Sequence, residues 1–263
     1  ALLWLKKEKI TVKKCEELKI SIQEEKDEID LLRSDYNDQK KEVERKIPLR
    51  ISSIGSDEVG TGDFFGPICV CAAYVREKDI PRLKELGVDD SKRLTDAQIR
   101  KLGKILVKEF EYSQLSLNNE KYNELVDAKM NMNEMKAKMH NRVLLNLHKK
   151  HCKVKNILID EFLSEDKYFK YLKDEKDVVK GIEFKTKGET YFPSVAVGSI
   201  IARYSFIQHM NLLSEKYGMK IPYGASQKVT EFAKEFVKKF GKAEFDKVCK
   251  KNFANYKEVI EAK

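Results

Sequence analysis

Ile51-Ser52-Ser53-Ile54-Gly55-Ser56-Asp57-Glu58-Val59-Gly60-Thr61-Gly62-Asp63-Phe64-Phe65-Gly66-Pro67 is the stretch on which the reading of this chain turns. Residues 51–56 have strand character and stop on two adjacent acids, Asp57 and Glu58. Gly60-Thr61-Gly62 then breaks the pattern as a turn. A second strand is predicted over 66–76, where Ile68, Val70, Ala72 and Tyr74 alternate with Cys69, Cys71, Ala73 and Val75. Both of its faces are apolar, as in a strand covered on both sides.

Further along, the pattern alternates between helix and strand. A helix is predicted over 95–110 with Thr95 as N-cap, a strand over 111–117 and a helix over 133–149. Residues 156–160 form a short apolar strand ending in Asp160. The helix predicted over 195–213 carries Ala196, Gly198 and Ala202 in its first half, small enough for close packing. The basic tail, 228–254, is again helical. Together these elements predict an α/β domain built on a mixed β-sheet flanked by helices, spanning 51–263.

Residues 1–50 have another texture, half of them charged. Cys15, Ile22, Ile29, Tyr36 and Val43 recur every seven residues, with Leu18 and Leu32 at the d positions and Glu25 and Gln39 interrupting them. One long helix or a helical pair is expected over 13–46, forming a short helical N-terminal extension. Its thin stripe needs the main domain or a partner to lean on, so self-association of an otherwise monomeric protein is an open expectation. The extension holds 13 basic and 12 acidic side chains, which argues against a phosphate-binding arm. The remaining residues hold 39 basic and 31 acidic, a balance that favours a polyanionic partner.

No apolar run reaches the length of a membrane span. Five cysteines without a CxxC pair, and histidines without HxxxH or HExxH spacing, give no zinc pattern and suit packing in a reducing cytoplasm.

The acids in this sequence stand at unusual places. Asp57 and Glu58 close one strand, Asp160 closes Ile157-Leu158-Ile159, and Glu189 sits in Lys187-Gly188-Glu189 ahead of the small-residue helix. Strand ends hold side chains rigidly where open α/β sheets place their sites. Adjacent carboxylates are costly to desolvate without a cation, and oxygen ligands alone suit Mg2+ or Mn2+. Any one of these acids by itself reads more readily as a cap or an ion-pair partner.

In linear context they read differently. The stretch 55–67 resembles the opening motif of type 2 ribonucleases H. Asp90-Ser91-Lys92-Arg93-Leu94 is similar to that family's DSKxL segment, and Val197-Gly198-Ser199-Ile200-Ile201-Ala202-Arg203 to its AASIIAR helix. Within the family, the segment 131–141, the loop Ile221-Pro222-Tyr223-Gly224-Ala225-Ser226 and the closing Asn252-Phe253-Ala254-Asn255 resemble ribonuclease HIII.

The resemblance implies a ribonuclease H-like fold and an endonuclease that cuts the RNA strand of RNA–DNA hybrids, leaving 5′-phosphate and 3′-hydroxyl ends. It implies that Asp57, Glu58, Asp160 and Glu189 hold Mg2+ or Mn2+, two ions with substrate bound. Gly60, Thr61 and Gly62 are implied to read the 2′-hydroxyl, and Ser91 and Lys92 to hold a phosphate. His140 is read as a packed or solvated histidine rather than a groove residue. Gly198 stands where alanine is usual, a substitution expected to cost a little helix stability and nothing more. The family's longer N-terminal hybrid-gripping domain has no counterpart in 1–50. Ribonuclease HII-like incision at single ribonucleotides and a non-catalytic nucleic-acid-binding protein are the competing readings.

Overall fold

A computed structural model describes residues 51–88 and 94–261. The heptad stripe over 13–46, the 1–50 extension, Ser91 and Lys92 lie outside the described residues.

β1 (Ser53–Val59) runs through both acids instead of stopping before them. The hydrogen-bond ladder is indifferent to side-chain charge, and β2 (Ile68–Val75) offers antiparallel partners as far as Val59, opposite Cys69. β3 (Glu111–Leu117) lies antiparallel along the other side of β2. β4 (Ile157–Asp160) runs parallel to β1, and β5 (Ile182–Lys185) parallel to β4. The order β3-β2-β1-β4-β5 makes the mixed sheet expected from the sequence, with β1 in the middle.

Helices cover the sheet: α1 (Ile80–Glu85), α2 (Asp96–Glu109), α3 (Asn119–Asp127), α4 (Met132–His148), α5 (Glu165–Tyr171), α6 (Pro193–Tyr217), α7 (Gln227–Phe245) and α8 (Ala254–Glu261). Thr95 caps α2 through a reciprocal box, its backbone N–H donating to Gln98 Oε1 at 2.8 Å while Gln98 N–H donates to Thr95 Oγ1 at 3.4 Å. Asn131 caps α4, accepting from the Glu134 N–H at 3.0 Å.

Strand alternation divides the core. Cys69, Cys71, Ala73 and Val75 face α2 and α6, packing with Ile99, Leu106, Val197, Ile200 and Ile201. Ile68, Val70 and Ala72 face α4, packing with Val143, Leu144 and Leu147. α6 is buried along most of its first half because it lies directly on the sheet.

That contact corrects the expectation for Gly198. A Cβ there would stand 2.8 Å from the Cys71 carbonyl oxygen and 3.2 Å from that of Gly55. The missing side chain lets helix and sheet backbones touch, so Gly198 is a packing position and not merely a weak helix former.

The basic tail is not one helix. Gly241 interrupts α7 with φ 81° and ψ 167°, and the helix ends at Phe245. The chain then turns back, Cys249 bridging to Phe65, before α8 begins. A tertiary pairing overrides the helical periodicity.

Candidate active site

Neighbouring residues of a strand point to opposite faces, and this separates the acid pair. Asp57 lies opposite Cys71, on the α6 side of the sheet, and Glu58 opposite Val70, on the α4 side. Asp57 is 6% exposed and draws a hydrogen bond from Ser199 of α6. Its Oδ1 also accepts from the Glu58 backbone N–H at 2.7 Å. The β1–β4 register pairs Ser56 with Ile159, so the next step sets Asp160 beside Asp57. Burial first, then the negative charges of Glu58 and Asp160, push the Asp57 carboxyl up to about 7.

Asp160 reaches towards the fourth acid. Its Oδ1 accepts from the Gly188 N–H at 2.8 Å, anchoring the short 3₁₀ turn Gly188–Thr190 that carries the buried Glu189. Lys187 precedes this turn in the left-handed region, with φ 60°. Asp57 and Asp160 thus stand side by side where β1 and β4 end, next to the turn that carries Glu189.

Glu58 is held from the other face. Lys136 Nζ donates to its Oε1 at 2.8 Å, and His140 Nε2 lies 2.9 Å from its Oε2. His140 Nδ1 lies 2.8 Å from Ser56 Oγ, so both ring nitrogens are engaged and the imidazole is wholly buried. Phe162 closes this corner, with Lys136 Nζ 4.0 Å from its ring centroid and the His140 ring stacked at 5.1 Å. Burial opposes ionisation of Glu58, but the His140 and Lys136 contacts together hold its carboxyl below the ordinary value.

His140 is packed, as expected, yet packed against a site acid. Lys136, Ser199 and Ser56 were not found from sequence. One signal was available: Lys136 and His140 are four apart and share a helix face.

Of the turn, Gly60 is buried, Thr61 half-buried and Gly62 exposed. Gly60 is required from within, since it has φ 99° and a Cβ would lie 2.2 Å from the Pro67 carbonyl oxygen. At Gly62 a Cβ would meet nothing within 4 Å. The protein itself gives no reason for glycine there, and the outer surface of the turn stays open to a ligand.

Oxygen donors alone, with burial and then neighbouring negative charge driving Asp57 upward, fit a hard divalent cation. Among the described residues, no three His, Cys, Asp or Glu side chains converge as ligands of one ion. Glu58 is turned to Lys136 and His140.

The sequence model of the Ribonuclease HII family matches residues 54–256. Ribonuclease HIII of Bacillus cereus (strain AH187) is 48% identical over 208 residues, covering 78% of this chain and 67% of the relative. This chain belongs to the ribonuclease HIII family. Ribonuclease HIII of Bacillus mycoides (strain KBAB4) matches to the same extent, 48% over 208 residues, with 78% of this chain and 67% of the relative covered. The structure of Bst-RNase HIII in complex with Mn2+ superposes with a TM-score of 0.78 at 38% identity, covering 82% of this chain and 71% of that one. Aquifex aeolicus RNase H3 superposes with a TM-score of 0.63 at 27% identity, over 82% of this chain and 77% of that one. The ribonuclease H-like fold expected from the sequence is the fold of these ribonuclease HIII structures.

Proposed function

We propose that this ribonuclease HIII relative is a metal-dependent endonuclease that hydrolyses the RNA strand of RNA–DNA hybrids, leaving 5′-phosphate and 3′-hydroxyl ends. The observation that carries the proposal is the convergence of Asp57, Asp160 and the Glu189 turn at one end of the sheet, beside the open Gly60–Gly62 turn.

Asp57, Glu58, Asp160 and Glu189 would hold Mg2+ or Mn2+, two ions with substrate bound. Such ions supply Lewis-acid activation and charge neutralisation for phosphodiester hydrolysis. Ser199 and the Glu58 backbone N–H orient Asp57, and the Gly188 N–H orients Asp160. Lys136 and His140 orient Glu58. The Gly60–Gly62 turn would read the ribose 2′-hydroxyl through its backbone, with Ser91 and Lys92 on a neighbouring phosphate.

No helix of the described residues is long and apolar enough to cross a membrane. The four cysteines of the described region are free thiols, in keeping with a cytoplasmic location. The heptad stripe over 13–46 favours self-association; a dimer in sedimentation supports this and a monomer removes it.

Cleavage of a full hybrid, of a DNA duplex with one ribonucleotide and of double-stranded RNA, each in Mg2+ and Mn2+, tests the function. The hybrid is expected to be cut preferentially, and Asp57→Asn to lose at least a hundredfold in kcat. An Asp57→Asn protein with undiminished cleavage would sink the site assignment. Preferential incision at the single ribonucleotide would favour the ribonuclease HII-like reading.

A further inference from the structure

Far along the sequence from the acids lies a buried cation that the catalytic reading does not use. Lys250 is 1% exposed and, among the described residues, its ammonium is held by backbone carbonyls rather than by a carboxylate. Its Nζ donates to two backbone carbonyls of the opening motif, Asp63 O at 2.6 Å and Gly66 O at 2.7 Å. Its backbone N–H donates to Phe64 O at 2.9 Å. Asn119 of α3 adds a second donor to Gly66 O at 3.0 Å.

The groups facing this ammonium are Asp63 from the turn, Cys69 from β2 and Cys249 beside it, with the rings of Tyr122 and Phe253 about it. Asp63 commits its Oδ1 to the Gly224 N–H at 2.6 Å. Burial pulls the Lys250 ammonium down to about 8.

A buried ammonium costs several kcal/mol to desolvate, and an apolar side chain would fill the space without that cost. What an apolar side chain lacks is the ability to hold two carbonyl oxygens pointed at one place. Those oxygens repel each other and, left unsatisfied, are themselves costly to bury. Their convergence fixes the peptide planes from Asp63 to Gly66, the C-terminal anchor of the Gly60–Gly62 turn. Asp63 N–H in turn lies 3.4 Å from Gly60 O, closing the turn on itself.

We propose that Lys250 is a positioning residue that sets the shape of the Gly60–Gly66 turn, and through it the preference for a ribose-bearing strand. This rests on the reading of that turn as the part that senses the 2′-hydroxyl. Lys250 touches neither the acids nor, on this view, the substrate. It therefore governs binding selectivity and KM rather than the chemical step.

The test uses the full chain in an Asp57→Asn background, with fluorescence anisotropy on an RNA–DNA hybrid and on the all-DNA duplex of the same sequence. Lys250→Met is expected to lower the hybrid-to-DNA affinity ratio about tenfold. In the active background it should raise KM for the hybrid while kcat stays within twofold. A solely structural lysine would lower Tm and leave the affinity ratio unchanged, and that result overturns the proposal. Should Lys250→Met not fold, Asn119→Ala removes the other donor to Gly66 O and is expected to lower the ratio about threefold. An unchanged ratio in a folded Asn119→Ala, with unchanged amide exchange across 60–66, is equally fatal. A parent protein that binds both duplexes alike overturns this inference together with the functional reading. A selective parent whose Lys250→Met keeps its selectivity overturns this inference alone.

Discussion

Gly60 and Gly62 stand two apart in one turn and do different jobs. A Cβ at Gly60 would collide with the Pro67 carbonyl at 2.2 Å, and its φ of 99° disfavours any L side chain. Gly60→Ala should therefore cost about 2 kcal/mol or more, seen as a lower Tm. Gly62 meets no such limit, so Gly62→Ala should change stability by less than about 0.5 kcal/mol. If the outer surface of the turn takes the substrate, the same substitution will raise KM for a hybrid severalfold. An unaltered KM would remove the turn from the binding surface. Asp57 gives a prediction in pH. Its folded-state pKa of about 7 lies above the ordinary aspartate value of 3.8, so the native protein binds more protons than the unfolded chain between these values. Stability of the metal-free protein should therefore fall as pH rises through that window and level off above it. Cation binding needs the deprotonated acid, so Mn2+ affinity measured by calorimetry should climb with pH to about 7 and then flatten.

At the scale of elements, the contact between α6 and the sheet governs how the site is built. α6 carries Ser199 to Asp57, and this close seating depends on Gly198 lying against the Cys71 carbonyl. Gly198→Ala would gain about 1 kcal/mol of helix propensity in isolation. Here the added Cβ, 2.8 Å from that oxygen, forces helix and sheet apart, a cost of about 1–3 kcal/mol. The expected result is a net loss of stability, together with lower Mn2+ affinity as Ser199 moves from Asp57. A rise in Tm would show that the helix seats without strain. The sequence disclosed α6 and its small residues but not which backbone they approach, since a glycine is silent about its neighbours. The short β5 was also hidden. Ile182 and Phe184 are its only apolar residues, and it pairs because β4 offers an unsatisfied edge.

On the scale of the whole molecule, charge and topology act together. Residues 51–263 hold 39 basic and 31 acidic side chains while Asp57 and Asp160 stand side by side at one end of the sheet, next to the turn that carries Glu189. Binding of a hybrid by such a body should weaken with salt. If two or more phosphates are neutralised, affinity falls about tenfold between 50 and 200 mM salt, measurable as a rise in KM at constant kcat. A salt-independent KM would argue against phosphate contacts. The C-terminal region belongs to the same design. Residues after Gly241 turn back to pair Cys249 with Phe65 and to bring Lys250 under the opening motif.

By itself the sequence determined the order of the main strands and helices and the mixed sheet, and it singled out the acids at the strand ends as candidates. Those follow from local periodicity, capping residues and motifs, each carried by residues near one another in the chain. Tertiary structure alone decided that Asp57 and Glu58 diverge to opposite faces, with Asp57 beside Asp160 and Glu58 held by Lys136 and His140. It also decided that Lys250 reaches Asp63 and Gly66. The physical reason is that strand register and desolvation act across long stretches of chain. A lysine in a basic tail looks the same whether it meets water or two buried carbonyls, and only the fold distinguishes them.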